Sequence, residues 1–490
     1  MSRVEQILAG LGPVAAELTG AMDDSRQVRP GDLFLAYPGH GADGRRYISQ
    51  ALAAGARAVC WEPGGEFVWH PDWRVGNLPV PGLRALAGPL AHFLAGRPSE
   101  SVALLAVTGT NGKTTISQWL AQAYPEPCSS IGTLGAGFAG QLVPTGFTTP
   151  EATTLARLLA EHGRQGARAC ALEASSIGIE EGRMNGFRVD TALFSNFTRD
   201  HLDYHGTMEA YAAAKEKLFL WPGLRLAIIN LDDPLGQRLA RSTTASRVVG
   251  YSLEGRNDLP AVVRAAGLQA TPRGQSFELQ TPWGNAVVET HVVGRYNVAN
   301  LLAVAGVLLD RGLNPVETAA RLAALMPPPG RMERYGGDGE PLVVVDYAHT
   351  PDALDSALAA LRPLAASRGG RLLCVFGCGG DRDPGKRPLM GEVAATRADA
   401  VWITSDNPRS EDPMDIIAAI REGAPAARVE VDRSLAIAEA VREAGDQDVI
   451  LVAGKGHEPY QEIAGVRHPF RDGEVVRLAL AARSENRKVA

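Results

Sequence analysis

The sequence predicts an α/β protein of about three domains, each organised around a mostly parallel sheet. Its 490 residues exceed what one ordinary core accommodates. Short apolar runs alternate with helical patterns through most of the chain, the signature of strands joined by crossover helices. Two breaks interrupt that rhythm. GRPSES (96–101) collects Gly, Pro and Ser in the manner of a linker, and MPPPG (326–330) places three prolines where neither a helix nor a central strand can continue. The expected units are therefore 1–97, 98–328 and 329–490.

In the first unit, DLFLA (32–36) and ARAVCW (56–61) read as strands, followed by an amphipathic helix near Leu83–Leu94. The second opens with VALLAV (102–107) and continues through RACAL (168–172), TALFS (191–195) and LAIIN (226–230). The third restarts with LVVV (342–345), RLLCVF (371–376), AVWI (400–403) and VILVA (449–453). The charged tail RSENRKVA reads as a solvated end. Polar clusters come directly after these runs: Lys113, Glu173 and Asn196 in the second unit, and Asp346, Asp381, Asp406 and Gly454 in the third. The carboxyl ends of strands line the ligand crevice of open parallel sheets, so chemistry is expected at these edges.

Composition narrows the function classes. A hydrophobic share of 45% with 21% charged residues fits a soluble globular chain and argues against general disorder. The formal charge of −6 supplies no basic footprint for nucleic acid or an anionic membrane surface, so any phosphate binding should be local. The N-terminal MSRVEQILAGLG lacks a basic n-region and a long apolar h-region. No segment reaches the roughly 18 uninterrupted apolar residues of a membrane span. Five scattered cysteines (Cys60, Cys128, Cys170, Cys374, Cys378) fit buried thiols in a reducing cytoplasm. Cys374 and Cys378 are spaced like half a metal knuckle without its second half.

The strongest local signal is VALLAVTGTNGKTTISQWLAQAY, an apolar strand running into Gly109-Thr110-Asn111-Gly112-Lys113-Thr114-Thr115 and then a helix. Glycines let backbone N–H groups curl around phosphate oxygens, and the helix N-terminus adds partial positive charge. Lys113 can neutralise β- and γ-phosphate charge while Thr114 offers a hydroxyl to Mg²⁺. The standard P-loop has a glycine five residues before Gly112, where this chain has Val107, so the loop is a short variant and an ordinary GTPase or kinase is disfavoured.

GTNGKTT in this shortened form resembles the ATP loop of the Mur ligases and the related folylpolyglutamate synthetases. The resemblance extends along most of the chain: LEASSIGIEEGR (172–183), SNFTRDHLDYHG (195–206), YAAAKEKLF (211–219), GRYNVAN (294–300), GRME (330–333) and DYAHTPD (346–352) follow the family's order. It implies a UDP-binding N-terminal α/β domain, a central P-loop ATPase-type parallel-sheet domain and a C-terminal Rossmann-like domain. Glu173 and His201 become Mg²⁺ ligands beside Lys113, consistent with a hard cation that needs only one or two side chains. Without the motif, Glu173 would read as a solvated loop carboxylate and His201 as a structural histidine; His205 keeps a structural reading. Read alone, Lys215 is a solvated lysine on a helix face, and only the family match makes it a carbamylated metal ligand. Asn297 and Asn300 lie three apart, on one side of a helix, and an amide can pair with both edges of adenine; a turn or N-cap would use the same residues. Arg331 and Asp346 match the family residues that reach ATP phosphates and ribose.

Substrate choice must come from the flanking units. DDSRQVRPGDLFLAYPGHGADGRRYI resembles the UDP-sugar domain of the diaminopimelate and lysine ligases, which puts Ser25, His40, Gly41 and Ala42 near the uridine diphosphate. Thr148, Thr149, Ser175, Glu181 and Arg183 match muramyl-peptide contacts. Phe147, Ile177 and Glu181 stand where the family usually carries asparagine, histidine and glutamine. In the last unit, FGCGGDRDPGKRPLM, TSDNPRSEDP and AGKGHEPYQ supply Arg382, Asp406, Asn407, Pro408, Arg409, Gly454 and Glu458. The pattern Asp-Asn-Pro-Arg is associated with meso-diaminopimelate. Its distal carboxylate suits a bidentate arginine such as Arg409, with Arg382 for another carboxylate, and its ammonium suits Asp406 and Glu458. L-lysine lacks that carboxylate and would leave Arg409 unpaired.

The expectation is a cytoplasmic, monomeric ligase that uses ATP and Mg²⁺ to join meso-diaminopimelate to a UDP-linked muramyl dipeptide, without nucleic-acid partners or membrane insertion. Rival readings are a lysine-adding or folylpolyglutamate-forming relative, a P-loop kinase or NTPase, and a non-catalytic nucleotide binder.

Overall fold

The structure, a computed structural model, describes residues 1–39 and 41–489, with the side chains of Asp203 and of residues 486–489 outside that set. His40 lies outside the described residues. The chain divides into two compact units, Met1–Val262 with Gly306–Arg311, and Val263–Ala305 with Gly312–Ala490.

The first unit carries two sheets. One is all parallel, with strands β1 (Gly20–Met22), β2 (Asp32–Ala36), β3 (Ala58–Trp61) and β4 (Gly76–Pro79) in chain order. The β2 run DLFLA is buried at every position because both faces are covered. Leu33 and Leu35 enter one apolar cluster, while Phe34 and Ala36 enter another. The expected helix spans Leu83–Leu94.

The other sheet of this unit contains β5 (Ala103–Thr108), β6 (Cys128–Gly132), β7 (Gly135–Phe138), β8 (Gln141–Val143), β9 (Ala169–Glu173), β10 (Thr191–Phe194), β11 (Leu226–Asn230) and β12 (Arg247–Ser252). Their order is β12-β11-β10-β5-β9-β6-β7-β8, parallel except for the β6-β7-β8 hairpins. Every apolar run expected to be a strand is one. β5 lies between β10 and β9, so the phosphate loop, Glu173 and the Ser195-Asn196 segment leave three adjacent strands at the same edge.

The segment GRPSES is no loose linker. Ser99 is 4% exposed; its Oγ meets His92 Nε2 at 2.7 Å and accepts the Arg188 N–H at 2.8 Å. A Gly/Pro/Ser composition signals a turn, but a serine with two local partners fastens that turn into the core.

The second unit opens with an antiparallel meander that the sequence patterns did not reveal: β13 (Val262–Thr271), β14 (Gly274–Thr281) and β15 (Gly284–Thr290). Its strands are long, only partly buried and irregular, with a register shift between Ala266 and Gln269, so no clean apolar run marks them. Next comes a six-stranded sheet of β16 (Glu333–Gly336), β17 (Leu342–Asp346), β18 (Leu372–Phe376), β19 (Ala400–Ile403), β20 (Arg428–Val429) and β21 (Val449–Ala453). The order is β16-β17-β21-β18-β19-β20, with only β16 antiparallel. Residues of β17 and β18 alternate between two apolar clusters, so this sheet too is covered on both faces. A hairpin of β22 (Tyr460–Ile463) and β23 (Val466–Pro469) follows.

All five cysteines are buried and free, and burial pushes the Cys60, Cys170, Cys374 and Cys378 thiols up to about 12. They are inert packing residues at neutral pH. Among the described residues no helix is long and apolar enough to cross a membrane, and no three His, Cys, Asp or Glu side chains converge as a metal cluster.

Candidate active site

The phosphate loop leaves β5 at Thr108 and enters a helix at Lys113. The N-cap of that helix is Gly112, and a helix N-terminus that follows a glycine-containing loop suits an anion. Lys113 Nζ folds back over the loop and donates to the carbonyls of Gly109 at 2.9 Å and Thr110 at 2.8 Å. The segment after β10 braces the loop from outside. Thr110 N donates to Asn196 O, Asn111 N donates to Asn196 Oδ1, and Ser195 Oγ donates to Asn111 O. Gly109 cannot be replaced within this bracing: its φ is +145°, and a Cβ would lie 1.9 Å from Ser195 Oγ. Gly109→Ala is therefore expected to lower stability by roughly 1–3 kcal/mol. It should also weaken ATP binding, with the urea midpoint and nucleotide titration as the two readouts.

Glu173, 1% exposed, closes the loop's other side. Its Oε2 accepts the hydroxyls of Thr114 at 2.9 Å and Thr133 at 3.1 Å, and its Oε1 accepts the Thr133 N–H at 2.9 Å. It packs on Gly132, where a Cβ would sit 2.1 Å from Oε1. Thr133 belongs to no motif, and its one signal in the sequence is its place after the run CSSIG. Thr133 Oγ1 meets Thr148 Oγ1 at 3.1 Å, which carries the path outward from the loop. Thr149 Oγ1 donates to Glu173 O at 2.7 Å and contacts Ser175 Oγ at 2.9 Å. Arg183 donates to Thr149 O at 2.7 Å and forms an ion pair with Glu181. Thr148, Thr149, Ser175, Glu181 and Arg183 are thus brought together beside Glu173. Phe147 is exposed, with the Arg183 guanidinium 5.8 Å from its ring centroid.

Lys215 corrects the reading of its helix face as solvated: it is 1% exposed. On the helix Met208–Phe219 it shares the inward stripe of Tyr211, Leu218 and Phe219, one turn from Tyr211. Its Nζ lies 4.3 Å from the Tyr211 ring centroid, and the Tyr211 hydroxyl contacts Thr110 Oγ1 of the phosphate loop at 3.2 Å. Burial, reinforced by the nearby Lys113 charge and opposed by Asp200, pushes the Lys215 ammonium well below the ordinary lysine range. His201 takes a left-handed conformation (φ +51°) at the start of the turn Leu202–His205. Its ring is half-exposed, 5.9 Å from that of Tyr211. His205 packs on Tyr211, and its Nε2 contacts Ser176 Oγ at 2.9 Å, in keeping with a structural role.

A cavity of about 840 Å³ in the same unit joins the N-terminal residues to this edge. Ser25, Gly41, Ala42, Phe147, Glu181 and Arg183 all line it. Ser25 is 6% exposed and its Oγ donates to Gln50 Oε1 at 3.0 Å. Asp24, held by Arg26, has its carboxyl lowered to about 2.

In the second unit, Asn297 and Asn300 are buried on one face of the helix Arg295–Asp310. Asn297 Nδ2 donates to Val293 O at 2.9 Å, and its Oδ1 accepts Asn300 Nδ2 at 3.2 Å. Asp346 ends β17 and accepts the N–H groups of Met332 at 2.8 Å and Ala348 at 2.9 Å; burial still raises its carboxyl above the usual range. Arg331 lies 4.6 Å over the Tyr347 ring, and its buried Nε has no hydrogen-bond partner among the described residues. Burial and Arg331 together lower His457 to about 4.

The last cluster gathers behind β19 and β21. Asp406 and Asn407 are buried, Arg409 is partly exposed with φ +53°, and Arg382 is exposed. Arg409 donates to Gly380 O, and the Pro408 carbonyl accepts the Glu411 N–H at 3.0 Å. Gly454 backs onto Asp406 Oδ2. The carboxylates of Asp406 and Glu458 do not stand alone, because Lys455, a residue not singled out from the sequence, lies between them.

Comparison with known proteins follows the same layout. Three family models match: "Mur ligase family, catalytic domain" over residues 19–93, "Mur ligase middle domain" over 107–308 and "Mur ligase, glutamate ligase domain" over 330–456. A relative from Chromobacterium violaceum, named UDP-N-acetylmuramoyl-L-alanyl-D-glutamate–2,6-diaminopimelate ligase, is 51% identical over 466 residues, covering 94% of this chain and 93% of its own. One of the same name from Pseudomonas aeruginosa is 50% identical over 465 residues, covering 94% of each. A solved structure bearing that name aligns with a TM-score of 0.71 at 38% identity over 95% of each chain. The MurF ligase from Thermotoga maritima in complex with ADP aligns at 0.63 and 19% identity over 99% of this chain and 100% of that one, a likeness of fold.

Proposed function

The chain belongs to the Mur ligase family, and from that premise we propose that it joins meso-diaminopimelate to the D-glutamyl γ-carboxylate of UDP-N-acetylmuramoyl-L-Ala-D-Glu with consumption of ATP, in the cytoplasm. The observation that carries this reading is the continuous path Thr114–Glu173–Thr133–Thr148, which ties the phosphate loop to the edge of the large cavity. Residues 1–97 would serve the UDP-sugar, 98–328 the nucleotide and 329–490 the amino acid.

In this reading the γ-carboxylate takes the γ-phosphoryl group of ATP, giving an acyl phosphate and ADP. The neutral amine of diaminopimelate attacks the acyl carbon, and phosphate leaves from the tetrahedral intermediate as the amine loses its proton. Lys113 would set its charge against the phosphoryl oxygens where negative charge develops. Ser25, His40, Gly41 and Ala42 would hold the uridine diphosphate, and Thr148, Thr149, Ser175, Glu181 and Arg183 the muramyl peptide. Asn297, Asn300, Arg331 and Asp346 would serve adenine, phosphate and ribose.

The residues fit Mg²⁺ by donor chemistry. Glu173 is a buried carboxylate already grouped with two hydroxyls, and Lys215 is a buried amine disposed to be neutral. Thr114, Glu173, His201 and carbamylated Lys215 would hold it. When bound, the ion would neutralise phosphate charge and polarise the γ-phosphoryl group.

The test supplies ATP, Mg²⁺ and the UDP-muramyl dipeptide with either meso-diaminopimelate or L-lysine, and reads product mass. Phosphate release without mass gain would reject ligation; equal use of lysine would reject the amino-acid assignment alone. Within that assay, Arg409→Ala is expected to raise KM for diaminopimelate roughly 10- to 100-fold, the worth of a charge-assisted pair, and to narrow the preference over lysine.

A further inference from the structure

Lys455 is a fully buried cation at the end of β21, and its interactions are specific. Its Nζ donates to Asn407 Oδ1 at 2.9 Å and to Glu458 Oε2 at 3.2 Å, and lies 3.7 Å from Asp406 Oδ1. Asn407 Oδ1 also accepts the Glu462 N–H at 2.9 Å, while its Nδ2 donates to Glu458 Oε2 at 2.7 Å. These bonds fix which way the Asn407 amide faces, because only its oxygen can accept from both Lys455 and Glu462. They also hold Glu458 through one oxygen, Oε2, and leave Oε1 outside the set.

Charge follows the same logic. Asp406 and Glu458 bring two negative charges, and Lys455 cancels one. Below them, Arg433 is paired with Asp472 in a fully buried bridge and donates to Ala453 O at 2.9 Å, so that pair is neutral in itself. The cluster therefore presents one net negative charge. Two unneutralised carboxylates in this position would repel.

We propose that Lys455 is a positioning residue for amino-acid recognition, holding Asn407 and Glu458 so that Glu458 offers one oriented carboxylate oxygen and a single negative charge to the substrate's distal ammonium. This rests on the functional reading above. Lys455 need not touch the substrate; it acts through Glu458, and the hairpin β22–β23 secures the arrangement. Gln461 Nε2 donates to Asp406 O, and Arg409 N donates to Glu462 O.

The experiment uses the full chain and three variants: Lys455→Met, Glu458→Gln and the double variant K455M/E458Q. K455M is expected to raise KM for meso-diaminopimelate on the order of 10- to 100-fold while KM for ATP and for the UDP-muramyl dipeptide stays unchanged. The double variant should show the KM of E458Q alone, because Lys455 acts on the substrate's ammonium through the Glu458 carboxylate. An unchanged diaminopimelate KM in K455M, or single-variant effects that multiply in the double, overturns the proposal. If K455M does not fold because its carboxylates are stranded, the double variant decides alone. A KM equal to that of E458Q supports positioning, and a further tenfold rise rejects it. Wild-type protein that forms no product with diaminopimelate rejects the functional reading and this inference together, whereas active wild type with indifferent variants rejects only the inference.

Discussion

Replacing Lys113 with methionine should reduce product formation on the order of 10³-fold and leave the folded chain intact. Methionine keeps the length and helix preference of the stem, while the bonds from Nζ to the carbonyls of Gly109 and Thr110 are lost. What it removes is the one basic side chain on the loop itself. Glu173 would remain as a buried carboxylate bonded to Thr114, and without Lys113 the field at the loop turns against an incoming triphosphate. The deficit should therefore appear both in KM for ATP and in turnover, with phosphate release and product mass falling together. The Lys113 charge also helps to depress the proton affinity of Lys215, so its removal should raise that affinity and make the two lysines non-additive. Near-wild-type turnover in Lys113→Met would reject the role assigned to the loop.

Much of this architecture is legible in the sequence for one physical reason: sheets covered on both faces need strands that are apolar at every position. LFLA, VALLAV, LLCVF and VILVA announce themselves for that reason. The meander β13–β15 is illegible by the same argument, because its half-exposed strands carry no such run. Site residues divide along another line. Lys113 is readable because the loop it belongs to is contiguous in sequence, and Glu173 because it ends an apolar strand run within a family motif. Thr133 and Lys455 are not. Thr133 meets Glu173 across 40 residues, and Lys455 meets Asn407 across 48. A buried cation is tolerated when partners compensate it; for Lys455, Glu458 is three residues away, but Asp406 and Asn407 cannot be seen from local spacing. Lys215 is an intermediate case: AAAKEK looks solvated, and only the inward stripe of Tyr211, Leu218 and Phe219 places the lysine indoors.

That burial makes Lys215 the source of the second large effect. Lys215→Ala should lower turnover by on the order of 10²–10³-fold, and wild-type activity should depend on dissolved CO₂. Carbamylation requires a neutral amine: the Nζ lone pair attacks the carbon of CO₂, an N–C bond forms, and a proton is released to give an anionic carbamate. An ordinary lysine is almost wholly protonated at neutral pH. At Lys215, burial and the Lys113 charge lower the proton affinity, so the nucleophilic form is populated at a pH where a solvated lysine would not react. The sign is then set. With dissolved CO₂ held constant, restoration of activity should weaken as pH falls through the depressed Lys215 pKa, because protonation removes the lone pair. Protein stripped of CO₂ by degassing should lose turnover and recover it on addition of bicarbonate, while Lys215→Arg, which keeps a cation but cannot form the carbamate, should stay inactive under both conditions. Activity indifferent to CO₂, with Lys215→Arg close to wild type, would reduce Lys215 to a packing residue over Tyr211 and leave Glu173 as the carboxylate bonded to the phosphate loop at Thr114.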